Sequence, residues 1–272
     1  VIFTDLDGTL LDHLTYSFEP ALPALETLKE QSIPLVFCTS KTKAETEKIR
    51  SRMENIHPFI VENGGAIFIP EDYFSSDLDK SREFDRKDKK NSKYQIIELG
   101  TPYTRLREFL LQLQAQFPGK IKGFGDMSAE KVAELCEFSR DEALLAKQRA
   151  YDEPFILDDE KLTGDIQKNA QLSNLKVTRG GRFHHLMGLN DKGRATSLLL
   201  SIYKKYFADL KSVALGDSFN DLPMLAAVDT PILLPKPHGG YDPSVHIEGL
   251  IFAEDPGPKG WGYAILKILT TS

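Results

Sequence analysis

Asp5 and Asp7 follow the apolar run Val1-Ile2-Phe3-Thr4 and precede Gly8-Thr9. In an extended chain, residues i and i+2 point to the same side. A strand ending at Thr4 therefore delivers both carboxylates near one point. Two unpaired carboxylates are a poor choice for a core, because they repel each other and are costly to desolvate. They suit a nucleophilic carboxylate working beside a magnesium ion, which prefers hard oxygen ligands. Three further pieces fall at predicted strand ends or helix starts. Thr39-Ser40-Lys41 follows the apolar run Leu35–Cys38. Lys192 sits in the first turn of a helix. Gly216-Asp217-Ser218-Phe219-Asn220-Asp221 follows the strand predicted over 212–215.

These residues can carry out phosphoryl transfer. Asp5 can attack phosphorus and form an aspartyl-phosphate, splitting one hard step into two. Nucleophile and phosphate are both anions, so a Mg²⁺ ion must bridge them. Asp5 and Asp217 offer carboxylates, Asp7 its backbone carbonyl, and Asp221 a nearby or water-mediated ligand. The Asp7 carboxylate is then free to protonate the leaving oxygen and later to activate water. Thr39 can donate to a phosphoryl oxygen, and Lys192 can neutralise charge that the metal does not cover. Ser40 and Lys41, on the same turn, are candidates for substrate contact. Each piece alone has a bland reading as a turn, a helix cap or a surface lysine. All four, in order and each at an element boundary, point to a site.

The elements that must position them alternate. Strands are predicted over 1–4, 34–38, 59–61 and 66–69, with helices over 20–31 and 41–53. Asn63-Gly64-Gly65 marks a hairpin, since Asn-Gly supplies positive φ. Apolar strands in βαβ order call for a parallel sheet with helices on both faces. A dense charge run from Asp79 to Lys93 breaks the pattern and reads as a solvated hinge. Beyond it come a strand over 94–99 and a helix opened by Thr101 as N-cap and Pro102. A short helix over 128–135, a capping box at Ser139-Arg140-Asp141-Glu142, and strands over 155–157, 175–179 and 182–186 complete a small α+β insert. The βα alternation resumes after Gly188. The predicted organisation is a discontinuous core, 1–78 plus 188–272, with an insert over 79–187.

The chain has 272 residues and a net charge of −6. That balance argues against a nucleic-acid partner, which needs a basic patch. No apolar run approaches the length of a transmembrane helix, so no membrane partner is expected. Cys38 and Cys136 read as small core residues of a reducing compartment, and the cytoplasm is the expected location. Monomer and homodimer both stay open.

Asp5-Leu6-Asp7-Gly8-Thr9-Leu10, Thr39, Lys192 and Gly216-Asp217-Ser218-x-Asn220-Asp221 resemble the motifs of the haloacid dehalogenase superfamily of phosphohydrolases. The resemblance implies a Rossmann-like α/β core with a parallel sheet, Mg²⁺ as cofactor, and an inserted α+β cap of the C2 type, subtype C2B. A finer resemblance, to the mannosyl-3-phosphoglycerate phosphatase family, rests on Cys38-Thr39-Ser40-Lys41-Thr42, on 61–67 and 146–155, on Thr178-Arg179-Gly180-Gly181-Arg182-Phe183-His184-His185, and on Pro256-Gly257-Pro258-x-Gly260-Trp261. It implies a phosphorylated sugar-glycerate substrate whose phosphate is released. Under it, Gly180, Gly181 and Arg182 read as a clip for the glycerate carboxylate rather than a bare hairpin turn. Arg149 and Glu153 stay open between a surface ion pair and contacts to carboxylate and sugar hydroxyls. His184 and His185 receive no catalytic role. Rival readings are a phosphatase for glucosyl-3-phosphoglycerate or sucrose phosphate, a sugar phosphomutase, and a sugar-phosphate sensor without turnover.

Overall fold

The computed structural model describes residues 1–74, 93–180 and 183–271. In chain order these form β1 (Ile2–Thr4), α1 (Leu22–Glu30), β2 (Leu35–Cys38), α2 (Lys43–Arg52), β3 (Phe59–Val61), β4 (Ala66–Pro70) and β5 (Tyr94–Glu98). There follow α3 (Tyr103–Gln116), β6 (Ile121–Gly123), α4 (Ala129–Cys136), α5 (Arg140–Ala146), β7 (Asp152–Leu157), α6 (Thr163–Leu172), β8 (Lys176–Gly180) and β9 (Phe183–Met187). The chain closes with α7 (Lys192–Tyr206), β10 (Val213–Gly216), α8 (Leu222–Leu225), β11 (Thr230–Leu233), β12 (Ile251–Phe252) and α9 (Gly257–Thr271).

The large sheet runs β12-β11-β10-β1-β2-β3-β4-β5. Its strands are parallel from β12 to β3, and β4 and β5 add antiparallel pairs. Strand alternation sends each residue to one of two cores. Ile2, Leu35, Phe37, Phe59, Val61, Val213 and Leu215 join Trp261 and Ile265 on one face. Phe3, Val36, Cys38, Ile60 and Ala214 meet Ala195, Leu199 and Tyr203 of α7 on the other. Both faces are covered, which explains why these strands read as continuous apolar runs.

A second, antiparallel sheet runs β6-β7-β9-β8. One of its faces packs against α3 and α6 through Phe155, Leu186, Val177, Leu106, Leu110 and Ile166.

Several expectations change. Tyr94–Glu98, read as the first strand of the insert, pairs along its whole length with β4. Its apolar residues Ile96 and Ile97 gave no sign of which sheet it would join. Thr101 is not the cap of α3: Pro102 stands at the N-cap without a side-chain bond, and the Tyr103 N–H donates to the Ala150 carbonyl instead. The helix α6 was not anticipated, because only Ile166 and Ala170 are buried along its ten residues. The charge run over 79–92 lies outside the described residues.

Candidate active site

The site lies at the carboxyl ends of β1, β2 and β10, where open parallel sheets gather ligands. Asp5 leaves β1 with its N–H donating to the Leu215 carbonyl at 2.9 Å. Its own carbonyl accepts from Thr4 Oγ1 at 2.7 Å, and Thr4 Oγ1 accepts from Trp261 Nε1 at 2.9 Å. The backbone of the candidate nucleophile is thus tied to the neighbouring strand and, through one hydroxyl, to α9. Gly8 turns the chain away at φ +76°, and a Cβ there would sit 3.0 Å from Asp217 Oδ2. Glycine meets both demands, the left-handed backbone and the close approach.

Lys192 enters at the start of α7, whose N-cap Asp191 accepts from the Arg194 N–H. Its buried ammonium donates to Asp5 Oδ1 and Asp221 Oδ1, both at 2.6 Å. Burial pulls the lysine's pKa down, but Asp221 and Asp5 outweigh it, so the net shift is upward and the group stays charged. Asp221 Oδ2 accepts from the backbone N–H groups of Asp217 and Ser218, both at 3.1 Å, and so folds the loop after β10. Asp217 accepts from Ser218 Oγ at 2.6 Å and from Lys236 Nζ at 2.8 Å.

Asp5, Asp217 and Asp221 each offer a carboxylate oxygen, and these atoms lie within 4.8 Å of one another. All three residues are buried. Burial, then the neighbouring Asp221 carboxylate, pushes Asp5 up to about 8 against the pull of Lys192. Burial raises Asp221 as well. Three carboxyl groups share two ammonium partners, Lys192 and Lys236, so their oxygens outnumber the cations that face them. An all-oxygen, electron-rich donor set of this kind fits a hard divalent cation such as Mg²⁺.

Asp7 stands apart from that group. Its Oδ1 pairs with Lys41 Nζ at 2.8 Å, and the same ammonium lies 4.9 Å from the centre of the Tyr16 ring. Burial pulls Lys41 down, but Asp7 and Glu45 reverse the sign and leave its pKa raised. Thr39 is fully buried. Its N–H donates to the Ile60 carbonyl, and its Oγ1 accepts from the Lys41 N–H at 3.2 Å.

Ser40 turns its carbonyl to Arg149 Nη1 at 2.9 Å. Arg149 is no surface residue. Its guanidinium also donates through Nε to the Ala146 carbonyl and through Nη1 to Asp152 Oδ2. Glu153 takes a different partner: Arg107 Nη1 at 2.6 Å, with Tyr103 Oη at 2.7 Å and the Gly125 N–H at 3.0 Å also donating to it. A surface ion pair between Arg149 and Glu153 is therefore ruled out. Gly180 ends β8, while Gly181 and Arg182 lie outside the described residues.

Reading the sequence missed Lys236, Glu62 and Asp152, and the part that His185 plays beside Asp152. Lys236 lies just after β11, at the same sheet edge as Asp217, and that position was its available signal. Glu62 accepts from the N–H groups of Ala150 and Tyr151, and burial pushes it up to about 7. Its partners are backbone groups 88 and 89 residues away, which no pattern announces. Asp152 and His185 pair through Oδ2 and Nδ1 at 2.8 Å.

A largely parallel sheet with helices on both faces, and a buried carboxylate cluster with a buried lysine at its strand ends, fits a class of hydrolase. The chain belongs to the haloacid dehalogenase-like hydrolase family, whose model matches residues 2–234. It is 49% identical, over 99% of its length and 97% of the relative's, to a glucosyl-3-phosphoglycerate/mannosyl-3-phosphoglycerate phosphatase of Methanococcoides burtonii. A protein of the same name from Persephonella marina is 46% identical over 99% of this chain and 97% of that one. The fold is similar to that of a phosphatase of the haloalkanoate (HAD) enzyme superfamily from Bacteroides thetaiotaomicron. There the TM-score is 0.67 and the identity 18%, over 100% of this chain and 95% of that one.

Proposed function

We propose that this protein is a Mg²⁺-dependent phosphatase that hydrolyses mannosyl-3-phosphoglycerate, and glucosyl-3-phosphoglycerate with it, to the glycosylglycerate and phosphate. The 49% identity along the whole chain to a relative named for both substrates carries this reading. Both sugars are included because that name covers both.

Asp5 attacks phosphorus, and the bond from phosphorus to the glycerate oxygen breaks. Asp7 protonates the departing oxygen, which leaves as the glycosylglycerate hydroxyl. The same carboxylate then takes a proton from water, whose oxygen attacks the aspartyl-phosphate. Inorganic phosphate leaves and Asp5 is restored. Lys192 holds the Asp5 carboxylate in place through Oδ1, and the Lys41 pair does so for Asp7. Thr39 brings its hydroxyl, and Ser40 its backbone N–H and hydroxyl, to the phosphoryl oxygens, since the Thr39 N–H is taken by the Ile60 carbonyl. Asp5, Asp217, the Asp7 carbonyl and Asp221, the last directly or through water, would hold Mg²⁺. When bound, the ion supplies charge neutralisation between nucleophile and phosphate.

The elements built on the second sheet are read as a cap of the C2B type, inserted between the two parts of the core at about 79–187, with β5 on the core side. The cap selects substrate and excludes water from the first half-reaction. Gly180, Gly181 and Arg182 are assigned to the glycerate carboxylate, for which an arginine fork is suited. Phosphate release from mannosyl- and glucosyl-3-phosphoglycerate, sucrose 6-phosphate and a hexose phosphate, each with Mg²⁺, tests the function. Turnover of both glycosyl-phosphoglycerates well above the others is expected. Equal rates on all four would sink it.

A further inference from the structure

The small sheet has a second face. Phe155, Leu186 and Val177 point to the α3 and α6 side. By alternation Asp152 on β7, His185 and Met187 on β9, and Thr178 on β8 share the opposite face. The register agrees, since Asp152 stands opposite Met187 and Thr178 opposite His185. This face is tied to the catalytic loop: one guanidinium nitrogen, Arg149 Nη1, donates both to the Ser40 carbonyl at 2.9 Å and to Asp152 Oδ2 at 3.3 Å.

Asp152 is fully buried. Its Oδ2 has two partners, Arg149 Nη1 and His185 Nδ1. Its Oδ1 is buried and has none. A buried acceptor without a donor costs about 1–3 kcal/mol, and more when it is charged. Two well-placed cationic or polar donors spent on one oxygen, with the other left open, form an arrangement that receives a donor from elsewhere. The missing group must be a hydrogen-bond donor. A phosphate or carboxylate is excluded, because the open carboxylate oxygen would repel it. A hydroxyl fits, and a sugar carries several.

We propose that Asp152 binds a hydroxyl of the substrate's sugar through Oδ1, held in position by Arg149 and His185. This deepens the glycosyl-phosphoglycerate reading and rests on it. The phosphate belongs to the Asp5 site and the sugar to the Asp152 face, so binding the two ends uses both sheets at once. Asp152 is then a specificity residue, and His185 a positioning residue that acts through it.

The test compares kcat/KM for mannosyl-3-phosphoglycerate with kcat/KM for p-nitrophenyl phosphate, which has no sugar. In Asp152→Asn the ratio of the two falls about tenfold or more, as expected for a lost bond to a charged acceptor, and most of the fall is in KM for the sugar substrate. His185→Leu lowers the same ratio. His185→Asn, which keeps a donor where Nδ1 stood, restores most of it. Should Asp152→Asn fail to fold by thermal melt, the His185 pair carries the comparison. A ratio unchanged by these variants, or a proportional fall on both substrates, overturns the assignment. Titration calorimetry with mannosylglycerate separates this failure from failure of the proposed activity. If the wild type binds that product and Asp152→Asn binds it about tenfold more weakly, the sugar site stands even without turnover. If the wild type does not bind it, the sugar site falls.

Discussion

Asp5 is crowded by carboxylates and held by one lysine, which makes its charge both useful and costly. Asp5→Asn is expected to lower kcat by at least about 10³-fold, since removal of the proposed nucleophile leaves only binding and electrostatic assistance. The same change removes a carboxyl that burial and its neighbours disfavour in the charged form, so the metal-free protein melts no lower than the wild type. Retained turnover, or a protein that no longer folds, would contradict this. The chain from Trp261 Nε1 to Thr4 Oγ1 to the Asp5 carbonyl makes a second prediction. Trp261 is fully buried. Trp261→Phe keeps most of the packing but removes the N–H, and it is expected to cost about 1–3 kcal/mol, measured by urea unfolding. No loss would mean that the Thr4 hydroxyl is satisfied another way. At this scale the sequence was most legible where function sits at strand ends. Asp5, Asp217 and Lys192 each stand at an element boundary, and the fold brings them together. Lys236 has the same kind of address and was overlooked because a lone lysine after a strand is usually solvated. Arg149 was visible as a residue but not as a bridge, because its partners at Ser40 and Asp152 are set by how the small sheet meets the large one.

Between elements, the loop before β7 is held to the turn after β3. Glu62 accepts from the N–H groups of Ala150 and Tyr151 while Thr42 Oγ1 donates to the Leu145 carbonyl. The Tyr151 side chain lies over the backbone of that turn, where a Cβ on Gly65 would meet Tyr151 Cβ at 2.5 Å. Gly65→Ala is therefore expected to cost about 1–3 kcal/mol by overpacking, seen as a lower urea midpoint. An unchanged midpoint would show that the loop yields freely. Glu62 adds a pH dependence of definite sign. Burial raises it from 4.5 to about 7 in the folded state, against the opposing pull of Arg149. A carboxyl raised on folding stabilises the fold below its unfolded pKa, and that stability is lost as pH rises through the folded one. The loss falls between about pH 4.5 and 7 and amounts to ~3 kcal/mol at 1.36 kcal/mol per unit. Glu62→Gln should flatten the slope of stability over that window. Asp5, raised to about 8, keeps its own share of the slope, so it is an undiminished slope in the variant that would place the Glu62 titration elsewhere. None of this was readable in the chain, because hydrogen bonds to backbone groups carry no residue signature. The elements themselves were largely legible. The exceptions, β6, α6 and the partner of β5, had too few apolar positions or too little pattern to decide.

For the whole molecule, the decisive feature is the carboxyl cluster that the two parts of the core assemble. Asp5 comes from the first strand, Asp217 and Asp221 from a loop more than two hundred residues later, and parallel pairing of β1 with β10 brings them side by side. Folding thus concentrates carboxylates that the unfolded chain keeps apart, and a cation that binds only the assembled site must stabilise the fold. At a hundred times its dissociation constant the gain is about 2.7 kcal/mol. For a chain of this size that corresponds to a rise in Tm of roughly 5–10 °C, at about 2–4 °C per kcal/mol. Mg²⁺ is therefore expected to raise Tm in a saturable way, and a chelator to reverse the rise and stop phosphate release. Asp217→Asn should abolish the shift while leaving the metal-free melt intact or higher, since it too removes a carboxyl from the cluster. Asp7→Asn should keep most of the shift, because the Asp7 carboxylate faces Lys41 and not the other three. A Tm insensitive to Mg²⁺, or a shift that survives Asp217→Asn, would show that these carboxylates do not hold the ion. Equal loss of the shift in both variants would show that the Asp7 carboxylate is a direct ligand, and its assignment as the acid and base would fall with it.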